Sequence, residues 1–99
     1  MKVYLDDTRI PTNDWILTKD VASTIKLLET GKVTHLSLDH DLGDIPETGY
    51  DVLLWIEKKV FLNNFNPPKI IVHSSNPSGK QKMLLAIQAI NKIYANTTN

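Results

Sequence analysis

Three short apolar runs in this sequence each stop abruptly at a cluster of charged or polar side chains. The three junctions are Val3-Tyr4-Leu5 with Asp6-Asp7, Leu36-Ser37-Leu38 with Asp39-His40-Asp41, and Ile70-Ile71-Val72 with His73-Ser74-Ser75-Asn76. Short apolar runs bounded by polar residues are consistent with buried β-strands. In an open parallel sheet, ligands bind at the carboxyl ends of the strands. We therefore expect the three polar clusters to meet in one site.

Strand-like and helix-like segments alternate along the chain. The predicted strands cover residues 2–6, 15–18, 35–38 and 69–72, and the predicted helices cover residues 20–30, 50–64 and 80–94. Asp20 is the expected cap of the first helix, and residues 76–79 form the expected turn before the last one. This alternation predicts an α/β fold with a parallel sheet and helices on both faces. We expect a single domain over residues 1–99, with a frayed polar tail at residues 96–99.

The connection between the first two predicted strands is unusual. Residues 7–14 show no helical pattern, whereas a parallel crossover usually needs about a dozen residues or more. Either this segment crosses the sheet as an extended loop, or the second strand lies at an edge or is misread.

The bulk composition excludes several classes of protein. Eleven basic and eleven acidic side chains give no net charge, whereas proteins that bind nucleic acid in bulk carry a basic excess. The sequence has no cysteine, and no run reaches the roughly 20 apolar residues of a membrane span. We expect a cytoplasmic protein whose ligand is a small phosphorylated molecule or an RNA end.

Asp6, Asp7 and Asp39 are candidate metal ligands. Three carboxylates brought together at the strand ends would repel each other, and a divalent cation relieves that repulsion. Hard oxygen ligands suit Mg²⁺ or Mn²⁺. The alternative is that Asp6 and Asp7 simply end a strand in solvent.

Two histidines form a candidate acid/base pair. In the opening of a cyclic phosphate, one of them, His40 or His73, would remove a proton from water and the other would protonate the leaving oxygen. Asp39 is a third candidate catalytic residue, which would position the water. The candidate substrate-binding residues, each of which could equally have a local structural role, are Arg9, Ser74 and Asn76.

With these residues in view, the chain resembles the receiver domains of two-component signalling. Asp6 and Asp7 look like the acidic pair of a receiver, Asp39 looks like its phosphoacceptor, and Ser74 or Ser75 looks like its switch residue. The helix that follows the acidic pair in receivers is missing, and no fifth strand with the receiver lysine follows. Phosphotransfer from a histidine kinase is therefore not expected.

A divergent branch, the cyclic-phosphate processing receiver domain, is the closer resemblance. The matching motifs are Leu5-Asp6-Asp7-Thr8-Arg9 with Pro11, Ser37-Leu38-Asp39-His40-Asp41-Leu42-Gly43, Thr48-Gly49-Tyr50-Asp51 and His73-Ser74-Ser75-Asn76-Pro77. The resemblance implies a flavodoxin-like, three-layer fold with a mainly parallel sheet of about four strands, truncated relative to a full receiver. It also implies a phosphodiesterase that acts on an RNA 2′,3′-cyclic phosphate or on a cyclic nucleotide. The alternative is a non-catalytic module that binds a phosphate or nucleotide in signalling.

Overall fold

The fold is a four-stranded parallel sheet with three helices, seen in a computed structural model that describes residues 1–97. The strands are β1 (Lys2–Leu5), β2 (Trp15–Thr18), β3 (His35–Leu38) and β4 (Lys69–Val72), and the helices are α1 (Val21–Leu28), α2 (Gly49–Asn63) and α3 (Pro77–Thr97). The strand order is β2-β1-β3-β4, and every neighbouring pair is parallel. The receiver-like α/β layout is confirmed, as are the bounds of β2, β3 and β4.

The core lies on one face of the sheet. Val3, Leu5, Leu36 and Leu38 are aligned across β1 and β3 and are fully buried. Helix α2 packs against both α1 and α3, so all three helices lie on the same side as this core. On the other face, Ile71 remains 48% exposed.

Within residues 1–97 the protein therefore has two layers, and the expectation of helices on both faces needs correction. The reason lies in the connection between β1 and β2. The chain moves across the sheet in one direction from β2 to β4, but from β1 to β2 it moves the opposite way. Because parallel crossovers are right-handed, only this reversed connection would place a helix on the second face. Residues 6–14 form no helix, so that helix layer is missing.

Two of the alternatives that the sequence left open for the β1–β2 connection are both correct. Residues 6–14 cross as an irregular loop, and β2 lies at the edge of the sheet. The first strand ends at Leu5, one residue earlier than predicted. It ends there because the chain turns around the carboxylate of Asp6, whose Oδ1 accepts hydrogen bonds from the amides of Thr8 and Arg9 at 2.9 Å each.

Two helix starts follow from local capping. Asp20 caps α1 as predicted, since its Oδ1 accepts a 2.7 Å hydrogen bond from the amide of Ser23. The predicted turn at residues 76–79 and the predicted helix start at Lys80 are wrong, because α3 begins at Pro77. Proline is favoured at the first helical position, where its missing N–H has no helical partner anyway. The amide of Gly79 donates to Oδ1 of Asn76 at 3.1 Å, which supports this first turn.

The helix boundaries differ from the prediction elsewhere by one to three residues. Helix α1 ends at Leu28, and α2 begins at Gly49 behind a capping box between Thr48 and Asp51. Helix α3 continues to Thr97, so residues 96 and 97 of the predicted tail are helical and residues 98–99 lie outside the described residues. Of the helices described, none combines the length and hydropathy needed to cross a bilayer.

Candidate functional site

Asp6, Asp39 and His73 are the first residues after three aligned strand ends. Leu5, Leu38 and Val72 form one register row across the sheet. The next row is held by backbone hydrogen bonds of 3.0 Å from the amide of Asp39 to the carbonyl of Leu5 and from the amide of His73 to the carbonyl of Leu38. Side chains alternate between the faces of a sheet, so these three side chains lie on the face without helices. One oxygen or nitrogen atom from each lies within 4.8 Å of the other two.

Asp6 is fully buried, and both oxygens of its carboxylate are hydrogen-bonded. Its Oδ1 accepts from the amides of Thr8 and Arg9 and, at 3.2 Å, from the Thr8 hydroxyl, while its Oδ2 lies 3.0 Å from Nε2 of His73. Burial by itself would raise the pKa of Asp6. The amides of Arg9 and Thr8, together with His73, outweigh burial and hold the pKa below its ordinary value of 3.8. Asp6 is therefore ionised at neutral pH.

The pKa of Asp39 is shifted in the opposite direction from that of Asp6. Burial raises the pKa of Asp39 above 3.8, and the negative charge of Asp6 raises it further. The amide of His40 donates to Oδ1 at 2.8 Å, but within residues 1–97 no hydrogen-bond donor reaches Oδ2. The site thus holds two crowded carboxylates, one of which has an oxygen available.

The His73 imidazole is held on every side. Its Nδ1 lies 2.7 Å from Oγ of Ser37, its Nε2 contacts Asp6, and the ring of Tyr4 stacks on it at 4.1 Å with an interplanar angle of 7°. Nη1 of Arg9 donates to the His73 carbonyl at 2.7 Å. Burial lowers the pKa of His73, whereas the neighbouring Asp6 acts to raise it. A charged His73 is therefore a stronger acid than a histidine in water.

His40 lies outside the cluster of Asp6, Asp39 and His73 and contacts the start of α3. Its Nδ1 is 2.9 Å from Oδ1 of Asp41, and Oδ2 of Asp41 accepts a 3.2 Å hydrogen bond from Nδ2 of Asn76. These hydrogen bonds from His40 and Asn76 lower the pKa of Asp41. The His40 ring lies against Gly79 in the first turn of α3, where a Cβ atom would be only 2.6 Å from Cγ of His40. No hydrogen-bond partner for Nε2 of His40 occurs within residues 1–97.

The remaining predicted site residues are Asp7, Arg9 and Ser74. Asp7 is outside the three-residue cluster, with Oδ2 only 2.8 Å from the position of a Cβ on Gly43. Nε of Arg9 is 4.0 Å from Oδ2 of Asp6, and about half of the Arg9 side chain is exposed. Oγ of Ser74 accepts a 3.1 Å hydrogen bond from the amide of Asn76, so it supports the start of α3.

The sequence did not identify Ser37 and Tyr4 as site residues. Both lie inside apolar runs, and their contacts with His73 join positions 36 and 69 residues apart in the chain. The available signal was the alternation in β3, where Ser37 is the polar residue between two leucines. A polar side chain at such a position faces away from the core and towards whatever lies on the other side of the sheet.

One comparison with known proteins gives a match. A family model described as the cyclic-phosphate processing Receiver domain matches residues 1–89. No curated protein and no solved structure matches the chain significantly.

Proposed function

Because the chain belongs to the cyclic-phosphate processing receiver domain family, we propose that it hydrolyses cyclic phosphodiesters at the carboxyl edge of its sheet. The substrate class is an RNA 2′,3′-cyclic phosphate end or a cyclic nucleotide. The observation that carries the proposal is that His40 and His73 follow the carboxyl ends of the neighbouring strands β3 and β4 and that each lies next to a carboxylate. Displacement at phosphorus requires a base and an acid on opposite sides of the reacting atom, which two histidines so placed could supply.

His40 is the proposed base. When its Nδ1 carries the proton and donates to Asp41, its Nε2 has a free lone pair. Nε2 would take a proton from water as the water oxygen bonds to phosphorus. Asp41 would orient the ring and stabilise the charge that forms on it.

His73 is the proposed acid. As the P–O bond of the ring breaks, Nε2 of His73 would give its proton to the leaving oxygen, which becomes a hydroxyl group. The product is a phosphomonoester, and both histidines then exchange protons with solvent. Burial, which lowers the pKa of His73, favours this transfer from the charged ring.

The two acids fit a divalent cation. Asp6 and Asp39 are close enough to repel, and no donor among the described residues reaches Oδ2 of Asp39. Both would hold Mg²⁺ or Mn²⁺, and Asp39 would also position the attacking water. When bound, such an ion polarises the phosphoryl oxygen and neutralises its charge. Asp7 remains a candidate ligand, although it lies against the Gly43 loop.

The side chains proposed to bind the phosphate of the substrate are Arg9, Ser74 and Asn76. The Arg9 guanidinium is half exposed beside Asp6 and suits one phosphate oxygen. Ser74 and Asn76 lie at the start of α3, where they would contact the same phosphate. One arginine with a hydroxyl and an amide suits a single phosphate, in keeping with the zero net charge.

The test is hydrolysis of a panel of 2′,3′- and 3′,5′-cyclic phosphates by the wild type, His40→Ala and His73→Ala, in Mg²⁺, in Mn²⁺ and in EDTA. His35→Ala is the matched control, because His35 lies at the far end of β3 and contacts Thr34. We expect each site variant to lose about 10²–10⁴-fold in kcat and the control to lose nothing. Equal activity in all four proteins, or no turnover by the wild type with any metal, would refute the proposal.

The same panel detects a binding module. A ligand that raises Tm with the logarithmic dependence on concentration that mass action requires, without forming product, would indicate binding only. One observation favours this alternative: both ring nitrogens of His73 already have partners within the protein.

A further inference from the structure

Ser37 is a buried polar residue in the middle of a buried strand. It is 1% exposed and lies between Leu36 and Leu38, both fully buried in the core. Within residues 1–97, the only hydrogen bond of its hydroxyl is the 2.7 Å contact with Nδ1 of His73. A buried hydroxyl is costly unless it is hydrogen-bonded, so the contact with His73 is what makes a serine tolerable here.

The contacts of His73 assign a tautomer to the neutral ring. Neutral imidazole has one N–H group and one lone pair. The ionised Asp6 carboxylate can only accept, so Nε2 carries the proton and Nδ1 accepts from the Ser37 hydroxyl. In the charged ring, Nδ1 also has a proton and donates to Oγ of Ser37. When the charged ring gives the Nε2 proton to a leaving group, Nδ1 keeps its own proton and still donates to Oγ. Ser37 is therefore hydrogen-bonded to His73 before and after proton transfer, and in the resting neutral ring its hydroxyl donates instead.

The stacked Tyr4 ring cannot select this orientation. Stacking at 4.1 Å defines the plane of the imidazole, but a half turn of the ring about its Cβ–Cγ bond returns it to the same plane and keeps the stack. Such a rotation replaces Nδ1 and Nε2 by carbon atoms. Asp6 opposes this rotation only while Nε2 is hydrogen-bonded to Asp6. That hydrogen bond must break when Nε2 donates its proton to a substrate. Ser37 remains in contact throughout.

We propose that Ser37 is a positioning residue for His73, which holds Nδ1 so that Nε2 points into the site. Its effect on catalysis rests on the proposed function, whereas its effect on the ring can be measured without turnover. The hydroxyl is the part of Ser37 that matters. A threonine, which keeps the hydroxyl and suits a strand, should therefore replace it.

The experiment combines NMR of the His73 ring nitrogens with steady-state kinetics for Ser37→Ala and Ser37→Thr. Thr24→Val is the matched control, because it removes a fully buried hydroxyl that bonds to Thr18 at 2.7 Å and not to the site. In Ser37→Ala we expect the ¹⁵N resonance of Nδ1 to move to that of a nitrogen without a donor. We also expect kcat to fall by about 10- to 100-fold, less than in His73→Ala. Ser37→Thr should restore both values, and Thr24→Val should change neither.

Each outcome has a defined meaning. An unchanged Nδ1 resonance in folded Ser37→Ala would overturn the proposal, as would an equal shift in the Thr24 control. If Ser37→Ala does not fold, Ser37→Cys keeps the size of the side chain and weakens the hydrogen bond, and its Nδ1 resonance decides in the same way. If the wild type hydrolyses no cyclic phosphate, the proposed function fails, and the NMR result still decides the role of Ser37.

Discussion

Replacing Asp39 with asparagine should stabilise the folded protein at pH 7 in the absence of divalent metal. The ligand atoms of Asp6 and Asp39 lie within 4.8 Å of each other, and burial together with the charge of Asp6 raises the pKa of Asp39. Asparagine has nearly the same shape and keeps the oxygen that accepts from the amide of His40. The substitution therefore removes a repelled charge and retains the hydrogen bond.

The distance sets the size of the gain. At 4.8 Å, the upper limit of the separation of these ligand atoms, two unit charges repel by about 1 kcal/mol at the permittivity of water and by about 3 kcal/mol at an effective permittivity of about 20. We expect Asp39→Asn to raise the free energy of unfolding by about 1–3 kcal/mol, and each 1 kcal/mol corresponds to about 4–8 °C in Tm for a domain of this size.

The pH dependence has a defined sign. In the folded state the pKa of Asp39 lies above its ordinary value of 3.8, so the folded protein binds this proton more tightly than the unfolded chain. Below the unfolded pKa, Asp39 is protonated in both states and costs the wild type no stability. The free energy of unfolding of the wild type then falls as pH rises through the raised folded pKa. The advantage of Asp39→Asn should therefore be larger at pH 7 than in acid and vanish below about pH 3.8.

Urea unfolding in EDTA between pH 3 and pH 8 measures this difference. Asp41→Asn is the matched control, because Asp41 is exposed and hydrogen bonds from His40 and Asn76 lower its pKa. It should bring no gain at pH 7. The reasoning is refuted if Asp39→Asn is no more stable than the wild type at pH 7, or if its advantage persists unchanged at pH 3.

Two further substitutions test local features. Asp20→Ala should lower the free energy of unfolding at pH 7 by about 1 kcal/mol, because Asp20 caps α1 through the amide of Ser23, whereas Asp20→Asn should keep the cap. Since hydrogen bonds from Ser23 lower the pKa of Asp20, the wild-type contribution is present above the unfolded pKa and lost as pH falls through the folded pKa. Urea titrations of the wild type and Asp20→Asn should therefore separate only in acid, and an asparagine variant as weak as the alanine one at pH 7 would contradict this. Gly79→Ala should displace the His40 ring, because its Cβ would lie 2.6 Å from Cγ of His40; unmoved His40 ring resonances, or an equal change in the exposed neighbour variant Lys80→Ala, would argue against that contact.

Much of the local structure could be predicted from the sequence because its causes are local. The apolar runs at residues 15–18, 35–38 and 69–72 specify β2, β3 and β4, and Asp20 specifies the start of α1. The start of α3 does not follow from the sequence, because proline is typical of turns and is equally favoured in the first turn of a helix. The number of layers does not follow from the sequence either, for a different reason. Which face a helix covers depends on the direction of each crossover, and that direction follows from the strand order of the whole sheet.

The sequence by itself determined that acids and histidines follow the strands, since this is a matter of adjacency along the chain. It did not determine which of them share a side of the sheet. That depends on the register of β1, β3 and β4. These strands are far apart in the sequence, and the packing of the core sets their register. His73 lies one residue beyond its strand and meets Asp6, 67 residues away, while His40 lies two residues beyond its strand and meets α3. His73 therefore joins the acidic cluster whereas His40 contacts the first turn of α3, and only the tertiary structure shows this difference.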